Sequence, residues 1–237
     1  MAGHSKWANI QHRKGAQDKA RAGQFTKLAR EITMATKLGD ANPDNNPRLR
    51  LAIYQARKLN MPNDNIKRAM DKATAAGGEN YEQVRYEGYG PGSVPIIVEA
   101  MTDNPRRTVP EVRSVFTKNG GNMGESGSVA FMFNRIGMIV YPKSVASEDA
   151  MFEAVINAGG EDLDTSDEGL YIVTAATDNF MQVLGALQAI FGEASSAELT
   201  WIPTAPAEPS EEDMVKVEKL IAALEDLDDV QKVFAGL

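Results

Sequence analysis

Residues 137–203 decide the fold of the chain and read GMIVYPKSVASEDAMFEAVINAGGEDLDTSDEGLYIVTAATDNFMQVLGALQAIFGEASSAELTWIP. Short apolar runs alternate here with longer stretches of helical periodicity, and turn residues separate them. The predicted elements are a strand at Met138–Tyr141, a helix at Glu148–Ala158, a hairpin of Leu163–Thr165 and Leu170–Ala175, a helix at Asp178–Gly192 and a strand at Ala197–Ile202. This β-α-β-β-α-β order is typical of a ferredoxin-like unit.

The two helices of this stretch should each turn an apolar stripe toward the sheet. In the first helix we expect the inward residues to be Met151, Phe152, Val155 and Ile156. In the second helix we expect them to be Phe180, Val183, Leu184, Leu187 and Phe191.

The segments on either side predict a second α+β unit. Val94–Met101 is a predicted strand, Thr108–Glu111 is a capping-box pattern that should open a helix, and Ser128–Phe133 is a predicted strand. After three prolines, a helix that opens at Ser210 and a strand at Val230–Phe234 are too little for a domain of their own. We therefore assign residues 79–136 and 204–237 to one discontinuous domain, with 137–203 inserted in it.

Residues 1–78 predict a helical bundle behind an N-terminal arm, the cationic stretch Met1–Arg30. Three short amphipathic stripes with brief connections are typical of such a bundle, and Asn46-Pro47 has the pattern of an N-cap followed by proline in the first turn. The predicted fold class is therefore α+β and multidomain. An N-terminal three-helix bundle is followed by two ferredoxin-like α+β units, one inserted in the other.

Charge is divided unevenly along the chain. Residues 1–78 hold fifteen Lys or Arg against six Asp or Glu, a net charge of +9, while the whole chain carries −8. Residues 144–204 contain eleven acidic residues and no Lys or Arg. Such asymmetry indicates a module that faces nucleic acid, joined to acidic modules.

The N-terminal arm concentrates the residues that suit a polyanion. Lys and Arg release counterions from phosphates, and Trp or His can stack on a base. The alternative is a solvated, frayed terminus, and charge alone leaves the two open. The predicted nucleic-acid contacts are His4, Lys6, Trp7, His12, Arg13, Lys14, Lys19, Arg21, Lys27 and Arg30.

Two glycine-rich segments are candidate phosphate-binding loops by composition. Gly88–Gly92 lacks the GK[ST] ending of a phosphate loop and predicts a turn. At Lys118, Asn119, Gly120 and Gly121, backbone amides and a cation could approach an anion, so these residues are a candidate secondary contact. The alternative for this segment, which we prefer, is a loop that needs positive φ at several positions.

Composition excludes several classes of function. The chain has no cysteine, which removes disulfides, thiolate zinc sites, iron–sulfur clusters and cysteine nucleophiles. The two histidines, His4 and His12, fit neither helical metal spacing nor a catalytic triad. We therefore expect no enzyme, no cofactor and no metal. Without a run of about eighteen apolar residues we expect no membrane partner and a cytoplasmic protein.

Four collinear motifs carry a resemblance to a known family. They are GHSKWANIQHRKGAQD (Gly3–Asp18), YEGYGPG (Tyr86–Gly92), IIVEAMTDN (Ile96–Asn104) and KNGGNMGESGSVAFMF (Lys118–Phe133). On these motifs the chain resembles the YebC/PmpR family of probable transcriptional regulators, whose mitochondrial relatives are translational activators of cytochrome oxidase. The similarity covers the whole chain.

The resemblance implies a three-domain protein that binds DNA and regulates transcription, with a translation role for some members. It supplies no catalytic residues. Two hypotheses stay open: binding of duplex DNA by the bundle and arm, or docking of the same cationic surface on ribosomal RNA. In either case the acidic domain is a candidate surface for a protein partner. Phosphate affinity is common to both hypotheses, so the sequence does not separate them.

Overall fold

The computed structural model describes residues 18–74 and 81–237. It confirms the predicted class, α+β with N-terminal helices followed by two antiparallel four-stranded sheets. Internal contacts divide the chain into two compact units. One unit is residues 135–202, and the other contains the remaining described residues. The three-domain division stays a prediction.

The helices begin and end as follows: α1 Asp18–Leu38, α2 Pro47–Lys58, α3 Asn63–Thr74, α4 Pro105–Lys118, α5 Glu148–Ala158, α6 Phe180–Phe191 and α7 Glu211–Glu225. The strands are β1 Glu82–Tyr89, β2 Pro95–Thr102, β3 Asn122–Met123, β4 Phe133–Pro142, β5 Asp162–Asp164, β6 Leu170–Ala175, β7 Ser196–Pro203 and β8 Val230–Ala235.

Helices α1 to α3 form the bundle around a core of small and branched apolar side chains: Ile32, Ala35, Leu49, Ala52, Ile53, Ala56, Met61, Ile66 and Ala69. The predicted cap of α2 is confirmed, because Asn46 Oδ1 accepts from the N–H of Leu49 at 3.0 Å. The same side chain donates to the backbone O of Ala35 at 2.8 Å and of Asp40 at 2.7 Å. One buried asparagine thus caps α2 and fixes the turn that follows α1.

The first sheet has the strand order β3-β1-β2-β8. Strand β8 pairs antiparallel with β2, with Ile96 opposite Ala235. The C-terminal segment therefore completes the sheet that begins at β1. The chain leaves this unit and returns to it at neighbouring points, since the N–H of Thr204 donates to the backbone O of Met132 at 2.8 Å.

Two sequence-based predictions in this unit are wrong. Ser128–Phe133 is not a strand: Ala130–Met132 form a single 3-10 turn, and the strand begins only at Phe133. Thr108–Glu111 is not a capping box, because the helix starts at Pro105 with Asn104 before it. The buried Thr108 hydroxyl instead donates to Asp229 Oδ2 at 2.7 Å, so it serves a contact between elements.

The unit of residues 135–202 has the strand order β5-β6-β4-β7, with α5 and α6 packed together. Its inward stripe on α6 is confirmed at Phe180, Val183, Leu184 and Leu187. The fifth predicted residue, Phe191, is only half-buried. On α5 the prediction is half wrong. Met151 and Val155 are buried, but Phe152 and Ile156 are 55% and 59% exposed, because Ala154 and Ala158 occupy the remaining inward positions.

Candidate nucleic-acid interface

The predicted contact residues are distributed unequally over the structure. His4, Lys6, Trp7, His12, Arg13 and Lys14 lie outside the described residues. Lys19 and Arg21 fall within the first turns of α1, which begins at Asp18. Helix α1 thus starts within Met1–Arg30, the stretch that is predicted to be an arm. Nucleic-acid binding by all these residues stays a prediction.

Lys27 and Arg30 contact the C-terminal part of their own unit. Lys27 Nζ donates to the backbone O of Glu225 at 2.7 Å, at the end of α7. Arg30 Nη1 donates to the backbone O of Asp228 and lies 3.5 Å from Asp229 Oδ1. Cations are favoured at a helix C-terminus, where carbonyl groups point outward. These two side chains therefore tie α1 to the turn between α7 and β8.

The environment of Lys27 shifts its pKa. Partial burial lowers the pKa of this ammonium group, and the neighbouring carboxylates Glu225, Asp226 and Asp228 oppose that shift only in part. The ammonium group of Lys27 is half-buried and already donates to Glu225 O, so it is less accessible to a phosphate than an exposed lysine. A phosphate contact by Lys27 or Arg30 stays a prediction.

The outward cations of the bundle present a different surface. Five cations of α2 and α3 are exposed: Arg57, Lys58, Lys67, Arg68 and Lys72. Arg57, Lys67 and Lys72 form no ion pair within residues 18–74 and 81–237. Within the same ranges, Arg68 donates to two uncharged groups, the backbone O of Asp64 and Asn65 Oδ1. The bundle thus carries positive charge that neighbouring carboxylates do not neutralise.

The charge of Arg48 is compensated within the bundle. Its guanidinium pairs with both carboxylate oxygens of Glu31, at 2.7 and 3.0 Å. Such a two-point pair holds the arginine in place and cancels its charge. Arg48 therefore acts in packing α1 against α2.

Three residues of the candidate secondary contact, Lys118, Asn119 and Gly120, line a groove of about 560 Å³. We call it the lysine groove, and its lining residues are Pro91, Gly92, Lys118, Asn119, Gly120, Asp213, Lys216 and Lys219. The structure brings three of the four predicted residues to this groove and adds two lysines of α7. The outward position of Lys216 and Lys219 on α7 could be predicted, whereas their approach to Lys118 depends on the tertiary fold.

Glycine is required near the groove for two different reasons, backbone conformation and close packing. Gly120 has φ +77° and Gly127 has φ +87°, which agrees with a loop that needs left-handed backbone. Gly121 has a packing reason instead, since a Cβ there would lie 2.7 Å from the backbone O of Tyr89. Gly121 does not line the groove.

Glu87 is a buried carboxylate that sequence reasoning missed. It is 1% exposed, and its Oε2 accepts from the N–H groups of Val129 and Ala130 at 2.9 and 2.8 Å. Arg85 Nε donates to the other oxygen at 2.9 Å. Burial alone would raise the pKa of Glu87, but the backbone donors and Arg85 outweigh it and hold the pKa below its usual range.

This arrangement makes Glu87 an anchor for the glycine-rich segment and not an acid or base for catalysis. Its carboxylate accepts hydrogen bonds from the backbone just before Phe131. The side chain of Phe131 is 75% exposed. Within residues 18–74 and 81–237, His, Asp and Glu side chains form no group of three or more that could hold a metal ion. No helix in those ranges is long and apolar enough to cross a membrane.

The chain is similar to known proteins over most or all of its length. A protein of Maricaulis maris (strain MCS10), named "probable transcriptional regulatory protein", is 51% identical, and the match spans 100% of this chain and 95% of that protein. The crystal structure of a conserved hypothetical protein from Aquifex aeolicus matches with a TM-score of 0.83 at 46% identity. It covers 92% of this chain and 90% of that one.

Two family models match consecutive parts of the chain. Residues 5–76 match the model of the "TACO1/YebC protein N-terminal domain". Residues 81–237 match the model of the "TACO1/YebC second and third domain". The chain belongs to the TACO1/YebC family.

Proposed function

We propose that this protein is a regulator of transcription that binds duplex DNA through its basic N-terminal region, residues 1–78. The observation that carries the proposal is the set of exposed cations on the bundle that no described carboxylate neutralises, Arg57, Lys67 and Lys72 among them. Unpaired cations on one module release counterions from phosphates when they bind, which drives association without regard to sequence.

The distribution of charge supports the same surface. Residues 1–78 carry a net charge of +9 within a chain of −8, so the remaining residues repel the polyanion that the first module attracts. The name of the Maricaulis maris relative, a probable transcriptional regulatory protein, agrees with DNA as the target. The proposal is for a binding protein and assigns no reaction to any residue.

Ribosomal RNA is the second candidate target, and Trp7 is the observation that favours it. A tryptophan between His4 and Arg13 is a flat group that can stack on an unpaired base, which structured RNA offers and duplex DNA does not. On this alternative the protein acts in translation.

Salt-dependent binding of the full chain separates these targets. We expect Lys6→Ala combined with Arg13→Ala and Lys14→Ala to weaken binding to a promoter duplex and to flatten the log–log salt dependence. The slope should fall by roughly 0.9 for each lost duplex phosphate contact. Trp7→Ala should leave duplex binding unchanged. The melting temperature of this variant without ligand is the control, because it would fall if the ring packs on the bundle.

Two results would decide against the DNA proposal. The first is an unchanged affinity and slope on the duplex both for this triple variant and for a chain that carries Arg57→Ala, Lys67→Ala and Lys72→Ala. The second is a Trp7→Ala variant that loses about 1–3 kcal/mol on ribosomal RNA with an unchanged salt slope, as expected when a stacked base is lost.

A further inference from the structure

The lysine groove concentrates positive charge in a part of the chain that is otherwise acidic. Residues 205–237 hold three lysines against nine acidic residues, and two of those lysines, Lys216 and Lys219, line the groove. The third lining cation, Lys118, comes from the end of α4, about a hundred positions away in sequence. The fold therefore assembles a cationic site from segments that are separately neutral or negative.

The cations of the groove are only partly compensated. Lys216 Nζ lies 2.7 Å from Glu212 Oε1 and 3.7 Å from Asp213 Oδ1. Lys118 and Lys219 form no ion pair with any residue of the described chain. Both side chains are exposed, so their ammonium groups are free to meet an anion.

The walls of the groove indicate which part of a ligand it contacts. Gly92 and Gly120, which both have left-handed backbone with φ +66° and +77°, are among the lining residues. Among the residues that the structure describes, no aromatic ring lines the groove, so these residues offer no platform on which a base could stack. Lysine side chains suit phosphate oxygens, and such contacts position a nucleic acid without reading its bases.

The size of the groove exceeds that of a single ion. Its volume of about 560 Å³ lies within the range of roughly 300–1,000 Å³ that is usual for small-molecule sites. A length of sugar–phosphate backbone fills such a groove better than one phosphate does. The absence of a stacking platform on these walls argues against a nucleotide held by its base.

We propose that the lysine groove is a second phosphate-binding site, which takes the backbone of the nucleic acid that the basic N-terminal region binds. This inference rests on the proposed function. Lys118 and Lys219 supply the uncompensated charge, and Lys216 adds a third cation held in place by Glu212. Two connected sites on one protein increase the overall affinity more than either site does alone.

Paired double variants of the full chain test this site. Lys118→Gln with Lys219→Gln removes the two unpaired cations of the groove. Arg106→Gln with Arg113→Gln is the matched control, because both arginines are exposed on α4, lie outside the groove and remove the same charge. We expect the groove variant to lower the log–log salt slope on duplex DNA by roughly 1.8, for two lost contacts, and the control to keep the slope of the unmodified chain.

A second readout does not depend on DNA binding. Inorganic tripolyphosphate should shift the amide resonances of Gly92 and Gly120 in the unmodified chain and in the control, but not in the groove variant. If the chain binds no duplex and these shifts persist, the proposed function is wrong and the groove is still a phosphate site. If the duplex binds, the groove variant has an unchanged slope and tripolyphosphate causes no shift, the inference alone is overturned.

Discussion

At the scale of single residues, a few buried polar side chains determine the course of the backbone. Glu87 holds two consecutive N–H groups of the glycine-rich segment, and Asp229 accepts from the hydroxyls of Thr102 and Thr108 at 3.0 and 2.7 Å. Burial opposes the charge of Asp229, but hydrogen bonds from Arg107, Thr108 and Thr102 hold its pKa below the usual range. Both carboxylates are therefore stable as anions inside the fold.

We predict that Glu87→Gln lowers the free energy of unfolding by roughly 1–3 kcal/mol at pH 7, because hydrogen bonds to a charged acceptor are replaced by weaker ones. The effect should depend on pH. Since the folded pKa of Glu87 is lower than its ordinary value of 4.5, the contribution of the carboxylate is complete above that value. It is lost as the pH falls through the folded pKa.

Urea unfolding between pH 7 and pH 3 measures this difference. The gap between the unmodified chain and Glu87→Gln should shrink as the pH falls, while the acid sensitivity due to Asp229 remains. Glu125→Gln is the control, because Glu125 is exposed in the same segment. A gap that stays constant over the whole range would show that the charge of Glu87 contributes nothing.

At the scale of elements, local pattern was sufficient where an element makes its own contacts. The cap at Asn46 and the apolar stripes of α6 depend on residues within a few positions, and both are confirmed. The segment Ser128–Phe133 has the composition of a strand, but Glu87, some forty positions earlier, binds its N–H groups and holds a 3-10 turn instead. No local pattern contains that information.

Strand β1 and helix α4 are missed or misplaced for related reasons. Glu82, Gln83 and Arg85 are exposed polar residues at the start of β1, so the strand lacks an apolar run. Helix α4 opens with Asn104 followed by Pro105, the same pattern that is recognised at Asn46 and Pro47. The capping-box pattern at Thr108 competes with this one, but the Thr108 hydroxyl donates to Asp229 and caps no helix.

We predict that replacement of residues 135–202 by a short glycine linker leaves a cooperatively folding protein. The contact of Thr204 with Met132 places the two ends side by side, and β8 remains paired with β2. Thermal melting followed by circular dichroism measures the result. Truncation after Pro203 is the comparison, because it removes α7 and β8 together with the partners of Lys27 and Arg30. A truncated chain that melts as cooperatively as the excised one would place the C-terminal segment outside this unit.

At the scale of the whole molecule, charge is divided between a cationic N-terminal region and an acidic remainder. That division is visible in the sequence, because it is a count of residues along the chain. The lysine groove could be predicted only in part. Lys118, Asn119 and Gly120 were candidates by local composition, whereas Lys216 and Lys219 join them through the packing of α7 near α4.

Hydrogen exchange of the full chain with and without saturating duplex DNA tests the central claim most directly, because bound nucleic acid slows the opening of the backbone that it covers. We predict slower exchange in peptides from residues 1–74 and in the groove segments 91–93 and 118–121, with no change in residues 135–202. Slower exchange confined to residues 135–202, with residues 1–74 unaffected, would contradict the assignment of nucleic-acid binding to the basic N-terminal region.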